Sequence, residues 1–220
     1  LALGGGAILP APEDSIYIFD EGHHLPDKAL NHFATFCRIP STLSWLQDSR
    51  KALAKGAQLL SLIPGIDTVL EPIPALLDDL LIATERVAEQ VLPLLEAAAP
   101  DSEQLRFSGG VLPPELTRAS EALASQWSRL AGRLTTLDAG IDDALEDDDF
   151  ASQRDELEAW QMAVGGMLVR AEGILSLWRD FAADAAAESP PRARWIKRRA
   201  DDELTAIDFH CSHILAADIL

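Results

Sequence analysis

Most of the chain has apolar residues at the three- and four-residue spacing of an amphipathic helix. Four such segments follow one another, at residues 41–63, 74–94, 115–145 and 153–187. Their apolar stripes are typical of helices that pack on one another, and this interpretation is favoured over any role in binding a ligand. Short connectors join the segments, so the pattern predicts an antiparallel helical bundle.

Prolines and polar capping residues indicate where these helices begin and end. A short helix is predicted from Ala29 to Phe36, and Ser41 or Thr42 is the predicted cap of the next helix. Pro93 falls inside the second long segment, where it is expected to kink or end the helix. Residues 98–114, which contain several prolines and glycines, are predicted to form a connector.

The two flanks of this helical block have a strand-like pattern instead. Ile16–Phe19 is a short apolar run, typical of a strand that is buried on both faces. Residues 194–199 alternate around Trp195, and Leu204–Cys211 carries apolar residues at strand-like intervals. The second flank therefore predicts two short strands that are antiparallel to each other.

The change from strand to helices and back is typical of an insertion. We predict a mostly α protein in which residues 38–188 form a helical bundle, while residues 1–37 and 189–220 supply a few strands of an incomplete α/β domain. The first residue is not Met, and residues 214–220 resemble the first turns of a helix. We therefore expect the sequence to be part of a longer protein.

The composition makes the chain strongly acidic, with a formal net charge of −18 from 36 acidic and 18 basic residues. A piece with this charge repels phosphate backbones overall, so any attraction to nucleic acid must come from local patches. The acidic run at residues 142–149 is predicted to be a solvated, flexible loop between two helices. A Ca²⁺ site is the alternative, although the spacing lacks the glycine and the terminal glutamate of an EF-hand loop.

The densest basic cluster surrounds a single tryptophan near the end of the chain. Basic side chains around an aromatic ring suit single-stranded DNA, through phosphate contacts and base stacking. In the alternative, the cluster is an exposed strand whose charges pair with the acidic residues 201–203. The candidate DNA-binding residues are Arg192, Arg194, Trp195, Lys197 and Arg198.

The two cysteines, Cys37 and Cys211, are far apart in sequence and are predicted to be reduced, buried thiols rather than a disulfide. Two cysteines cannot supply the four ligands of a [4Fe–4S] cluster. No apolar run reaches the length of a membrane span, and no charged-then-apolar leader is present, so we expect a cytoplasmic protein without membrane contact.

Candidate catalytic chemistry follows the apolar run 16–19, where the sequence continues Asp20-Glu21-Gly22-His23. Two acids at the C-terminal end of a strand lie where open α/β sheets place their ligands. One can hold Mg²⁺ while the other activates a water for phosphoryl transfer. A solvated turn remains an alternative, and so does a zinc site made by Glu21, His23 and His24. The phosphate-gripping motif Gly-Lys-Ser/Thr is absent from the sequence.

The order of motifs along the chain resembles a known family. Residues 3–14 have the sequence LGGGAILPAPED, and residues 20–27 have DEGHHLPD, in which DEGH is a DExH box. Near the other end, Trp195, the DFHC of residues 208–211 and the AD of residues 217–218 follow in order. The two ends of the chain that carry these motifs, about fifty residues in all, resemble the DinG-type DNA helicases, in the XPD-like group of superfamily 2.

This resemblance implies specific roles for a parent protein that uses ATP and Mg²⁺ and moves 5′-to-3′ on single-stranded DNA. By this resemblance, Asp20 and Glu21 bind the nucleotide with its metal. Asp20 holds Mg²⁺ through a water, and Glu21 acts as the catalytic base. His23 couples the site to its neighbours. The flanks belong to a RecA-like motor domain, and the helical block is an Arch-like insertion that ends just before motif III.

The resemblance also implies limits for the piece itself. Any [4Fe–4S] ligands of the parent precede Leu1, and the isolated piece is expected to be inactive because it lacks the phosphate-gripping lysine. A free-standing acidic helical module that acts by protein–protein contact remains the alternative function, and in it the residues 20–23 are incidental.

Overall fold

The computed structural model describes residues 34–98, 103–184, 192–198 and 206–214. The predicted strand 16–19 and the candidate residues Asp20, Glu21 and His23 lie outside the described residues. The elements, in chain order, are β1 (Thr35–Arg38), α1 (Ile39–Leu60), α2 (Asp67–Leu70), α3 (Ile73–Ala98), β2 (Gln104–Arg106), α4 (Pro114–Glu146), α5 (Arg154–Ala182), β3 (Ala193–Arg198) and β4 (Ile207–Ser212). The prediction of a mostly α protein with a helical bundle and a few strands is confirmed.

The long helices pack through apolar residues that repeat every seven positions. In α4 the buried stripe is Leu116, Leu123, Leu130, Leu137 and Ala144, and in α5 it is Leu157, Val164, Ala171 and Trp178. A seven-residue repeat keeps one stripe facing a partner helix along its whole length. Contacts between α4 and α5 run antiparallel, since Gln161 donates to Asp142 while Arg179 lies opposite Ser128.

Several helix boundaries differ from those predicted. Helix α1 begins at Ile39 rather than at a Ser41 or Thr42 cap, because Pro40 occupies its first turn and needs no N–H partner there. Helix α3 continues through Pro93 to Ala98, so of the two outcomes predicted at the proline, a kink or an end, the end does not occur. Thr35 and Phe36 belong to strand β1, so the helix predicted over Ala29–Phe36 is wrong at its described end.

The four strands form one antiparallel sheet in the order β1-β4-β3-β2. The predicted antiparallel pairing of the two last strands is confirmed by β3 and β4. Strand β2 lies within residues 98–114, which were predicted to be only a connector. Three residues are too few for strand-like periodicity to show in the sequence, and β2 is held by its pairing with β3.

One face of the sheet, the inner face, packs against helix α5. Cys37, Phe209 and Ile196 stand directly opposite one another across three strands and are all buried. The Phe209 ring lies 5.0 Å from Trp178 and 5.6 Å from Phe181, measured between ring centroids, and both of these residues belong to α5. Sheet and helices therefore share one hydrophobic core.

Both cysteines are free and buried on this inner face, which confirms the prediction of reduced thiols. Burial raises the pKa of Cys37 and of Cys211 from 9.0 to about 12. Each side chain is therefore a protonated, unreactive thiol at neutral pH.

The acidic run ends α4 and continues into a 3₁₀ turn, Asp148–Gln153. Asp147 caps this turn by accepting a hydrogen bond from the backbone N–H of Asp149, and the acidic side chains from Asp142 to Asp149 are exposed. Among the described residues, no three His, Cys, Asp or Glu side chains are grouped so that they could hold a metal ion. No helix in the described ranges combines the length and the apolar character needed to cross a membrane.

A close contact between α1 and α5 gives a test of the bundle packing. A Cβ built on Gly56 would overlap the Trp160 indole, whereas a Cβ on Gly166 would meet no atom within 4 Å. We expect Gly56→Ala to lower the free energy of unfolding by about 1–3 kcal/mol, because the indole must move. Gly166→Ala is the matched control and should raise it by about 0.5–1 kcal/mol. Urea unfolding of both variants measures these changes. Changes in the free energy of unfolding with the same sign in both variants would contradict the contact between Gly56 and Trp160.

Candidate nucleic-acid interface

The second face of the sheet, the outer face, differs in character from the inner face. Side chains alternate between the two faces along each strand, so the strand register assigns every residue to one of them. One row of directly opposed residues across the outer face is Phe36, His210, Trp195 and Arg106. The next row is Arg38, Asp208, Lys197 and Gln104.

Three aromatic rings in the first row, Phe36, His210 and Trp195, lie side by side; we call them the ring row. The Trp195 and His210 rings are stacked, with centroids 5.1 Å apart and planes inclined by 3°. The Phe36 ring lies 6.3 Å from His210 at 32°, and Phe36 is 51% exposed. This exposure contrasts with Trp178 and Phe209 on the inner side, which are completely buried.

The ring row is flanked by three exposed cations, Arg38, Arg106 and Lys197, which we call the outer cations. The Arg38 guanidinium lies over the Phe36 ring, 5.2 Å from its centroid, and its Nε is 3.9 Å from the Asp208 carboxylate. Asp208 is the one acidic residue that the register places in these two rows. The outer face is therefore locally basic in a chain whose formal net charge is −18.

His210 contributes a ring rather than a charge. Its pKa is lowered from 6.5, mainly because burial penalises the charged imidazolium; Asp208 opposes this shift, and Arg38 and Lys197 add to it. The imidazole is therefore neutral at pH 7, and the stack with Trp195 joins two uncharged rings.

The structure separates the predicted DNA-binding residues into two groups. Trp195 and Lys197 lie on the outer face. Arg194 points to the inner side, is 2% exposed, and donates a hydrogen bond of 2.8 Å to the carbonyl of Gly110. Its guanidinium holds the sheet to the turn after β2 and is not presented to solvent.

The two remaining arginines lie at the ends of β3. Arg192 forms an ion pair with Asp180 at the end of α5, and Asp180 also accepts a hydrogen bond from the Thr35 hydroxyl. Arg198 is exposed at the last position of β3, on the face opposite Lys197 by the alternation of the strand. The acidic residues 201–203, their predicted alternative partners, lie outside the described residues.

The outer face also contains residues that the sequence interpretation missed, namely Phe36, Arg38, Arg106 and His210. Phe36 was assigned to a helix, and Arg106 to a connector. A usable signal was the alternation in TFCR at 35–38, where Phe36 and Arg38 share one side and Cys37 takes the other.

No protein-family model matches the chain. It is 27% identical over 207 residues, 92% of its length, to the "ATP-dependent DNA helicase DinG" of Photobacterium profundum. It is 26% identical over 225 residues, along its full length, to the proteins of the same name from Salmonella typhimurium and Escherichia coli. The chain spans less than a third of these relatives, 28% to 30% of their length. The resemblance seen in the sequence is thereby confirmed, and the chain is related along nearly all of its length to one region of the DinG-type helicases.

Proposed function

We propose that this chain is part of a bacterial, cytoplasmic DNA helicase of the DinG type, which couples ATP hydrolysis to 5′-to-3′ movement on single-stranded DNA. The observation that carries the proposal is the similarity of nearly the whole chain to proteins named ATP-dependent DNA helicase DinG. The Asp-Glu-Gly-His motif at residues 20–23 adds chemistry that suits ATP hydrolysis.

In this proposal the motif residues divide the chemistry of hydrolysis among them. Asp20 holds Mg²⁺ through a water, and Glu21 orients the attacking water and takes its proton. His23 forms hydrogen bonds that couple this site to the DNA-bound state. The nucleotide and its Mg²⁺ supply the charge stabilisation, and the phosphate-gripping lysine comes from a segment of the full-length protein that this sequence does not include.

The proposed division into motor flanks (1–37 and 189–220) and a helical insertion (38–188) is supported by strand pairing. The chain enters the helical block from β1 and leaves it into β3 and β4, and β4 pairs with β1. An insertion needs its two ends close together, because the parent domain must continue across them. The adjacent strands β1 and β4 meet this requirement.

The test of this function is ATP hydrolysis by the full-length protein. We expect Mg²⁺-dependent ATPase activity that single-stranded DNA stimulates, and unwinding of a duplex that carries a 5′ single-stranded tail. The isolated 220-residue chain should show no ATPase activity above background, because no Gly-Lys-Ser/Thr motif is present to hold the phosphates. Turnover by the isolated chain would contradict the proposed division of roles.

A second candidate is an acidic helical module that acts by protein–protein contact. The exposed acidic side chains between Asp142 and Asp149, on the end of α4 and the turn that follows it, favour this function. The same experiment discriminates between the two: a full-length protein without ATPase activity, with or without DNA, would leave the interaction module as the better account.

A further inference from the structure

We propose that the outer face of the four-stranded sheet binds single-stranded nucleic acid, with unpaired bases stacked against the ring row and phosphates held by the outer cations. The choice of partner rests on the proposed function. The surface itself follows from the strand register and the contacts of the described residues.

The ring row offers exposed apolar surface at Phe36, next to the half-buried stack of Trp195 and His210. Phe36 remains 51% exposed, although the inner face of the same sheet buries Phe209 completely. Every base has a π-face, so aromatic rings of this kind bind single strands with little dependence on sequence. A four-stranded antiparallel sheet with aromatic rings on its open face is also a known architecture for holding two or three unpaired bases.

A cleft beside Trp195 is the proposed binding site for one base. The cleft has a volume of about 480 Å³ and lies at the end of β2, β3 and β4. Trp195 and Arg106 line it together with Ser212 and His213. An indole wall with polar groups at its rim suits a base that stacks while its edge forms hydrogen bonds.

The dimensions of the outer face match a short single strand. Neighbouring strands lie about 4.8 Å apart, so the row from Phe36 on β1 to Arg106 on β2 spans about 14 Å. This is about the length of three to four stacked nucleotides at about 3.4 Å each. One end of the row is the exposed Phe36 ring, and the other end is the cleft beside Trp195.

The charge distribution favours a polyanion on this face. The outer cations oppose one carboxylate, Asp208, whereas the chain as a whole carries a formal net charge of −18. Lys197 and Arg106 make no ion pair with another described residue, so both charges can pair with phosphates; the Nε of Arg106 donates to the side-chain oxygen of Gln104. An acidic peptide would use the cations and leave the rings unused, and a duplex hides the base faces that the rings need.

Binding of a fluorescent oligothymidylate to variants of the full-length protein tests the proposal. Trp195→Ala should weaken binding at least about tenfold, because stacking of one base is lost, and Trp195→Phe should restore most of the affinity because it keeps a ring. Lys197→Ala should weaken binding and reduce the slope of log affinity against log salt by about 0.7, the value for one phosphate on a single strand. Lys55→Ala and Leu62→Ala, exposed positions on and just after α1, are the matched controls and should bind as the wild type does.

An increase in affinity gives a test that misfolding cannot imitate. Asp208→Asn keeps the shape of the side chain and removes the carboxylate from the outer face. We expect binding of the same oligonucleotide to become about threefold to fivefold tighter, because the buried carboxylate no longer opposes the outer cations and Arg38 loses its ion-pair partner. Unchanged or weaker binding by this variant would contradict a phosphate path across the outer face.

An abasic oligonucleotide of equal length and charge separates stacking from charge. We expect it to bind at least about tenfold more weakly than oligothymidylate. Equal binding of the two, or equal affinities of Trp195→Ala and the wild type, would overturn the proposal. If binding does not depend on the rings but the wild-type protein hydrolyses ATP, the binding-face proposal fails and the helicase function stands. If the wild-type protein binds DNA in a ring-dependent way but does not hydrolyse ATP, the helicase function fails and the binding-face proposal stands.

Discussion

Glu21→Gln in the full-length protein is expected to lower kcat for ATP hydrolysis by about 10²–10⁴-fold, which is the usual contribution of a general base. The amide keeps the size of the side chain but cannot take a proton from the attacking water. Nucleotide binding should persist, since Asp20 and the phosphate contacts remain. Steady-state hydrolysis, together with equilibrium binding of a fluorescent ATP analogue, separates the two effects.

His24→Ala is the matched control for this substitution. In the helicase proposal His24 has no catalytic role, and the variant should hydrolyse ATP about as fast as the wild type. In the zinc alternative, Glu21, His23 and His24 are all ligands, so both variants should lose metal together. Full ATPase activity in Glu21→Gln, or loss of bound zinc in both variants, would contradict the assignment of Glu21 as the base.

The helical part of the fold could be predicted because its signal is local and repeated. In α4 the stripe from Leu116 to Ala144 repeats over 29 residues, so a single substitution or a short irregularity does not hide it. At Pro93 the sequence predicts a kink or an end of the helix, and the helix does not end there. A proline costs one backbone hydrogen bond, but tertiary packing of the residues before and after it, such as Val91 and Leu95, keeps α3 continuous.

The short strands could not be located in the same way. Strand β1 has four residues and β2 has three, and neither length carries enough periodicity to distinguish strand from helix. Their stability comes from partners that are distant in sequence: Phe36 stands opposite His210, and Arg106 stands opposite Trp195. Pairing of this kind follows from the register of the folded sheet rather than from local preference.

The candidate interface shows the same limit. The sequence indicated Trp195 and Lys197 because basic residues cluster around one aromatic, and both lie on the outer face. The same criterion included Arg194, since linear clustering does not distinguish the two faces of a strand. Alternation assigns Arg194 to the buried side, where it forms a hydrogen bond with Gly110, and brings Phe36 and His210 beside Trp195 from two other strands.

The two faces of the sheet therefore have different surroundings. The inner face attaches it to α5, through rings of the sheet and of the helix that share one core. The outer face carries the ring row and the outer cations; Phe36 and the three cations are exposed, and Trp195 and His210 are half-buried.

Trp178→Ala is expected to lower the free energy of unfolding of the 220-residue chain by about 3–5 kcal/mol, because it empties the centre of this shared core. Trp178 is completely buried between Phe181 and Phe209. Urea unfolding followed by circular dichroism measures the change.

Met162→Ala, on the same helix but 79% exposed, is the control and should lower the free energy of unfolding by less than about 0.5 kcal/mol. If the sheet and the bundle form one cooperative unit, the helix and strand signals must shift together in Trp178→Ala. Separate transitions, or a decrease in the free energy of unfolding no larger than that of the control, would show that the sheet folds independently of α5.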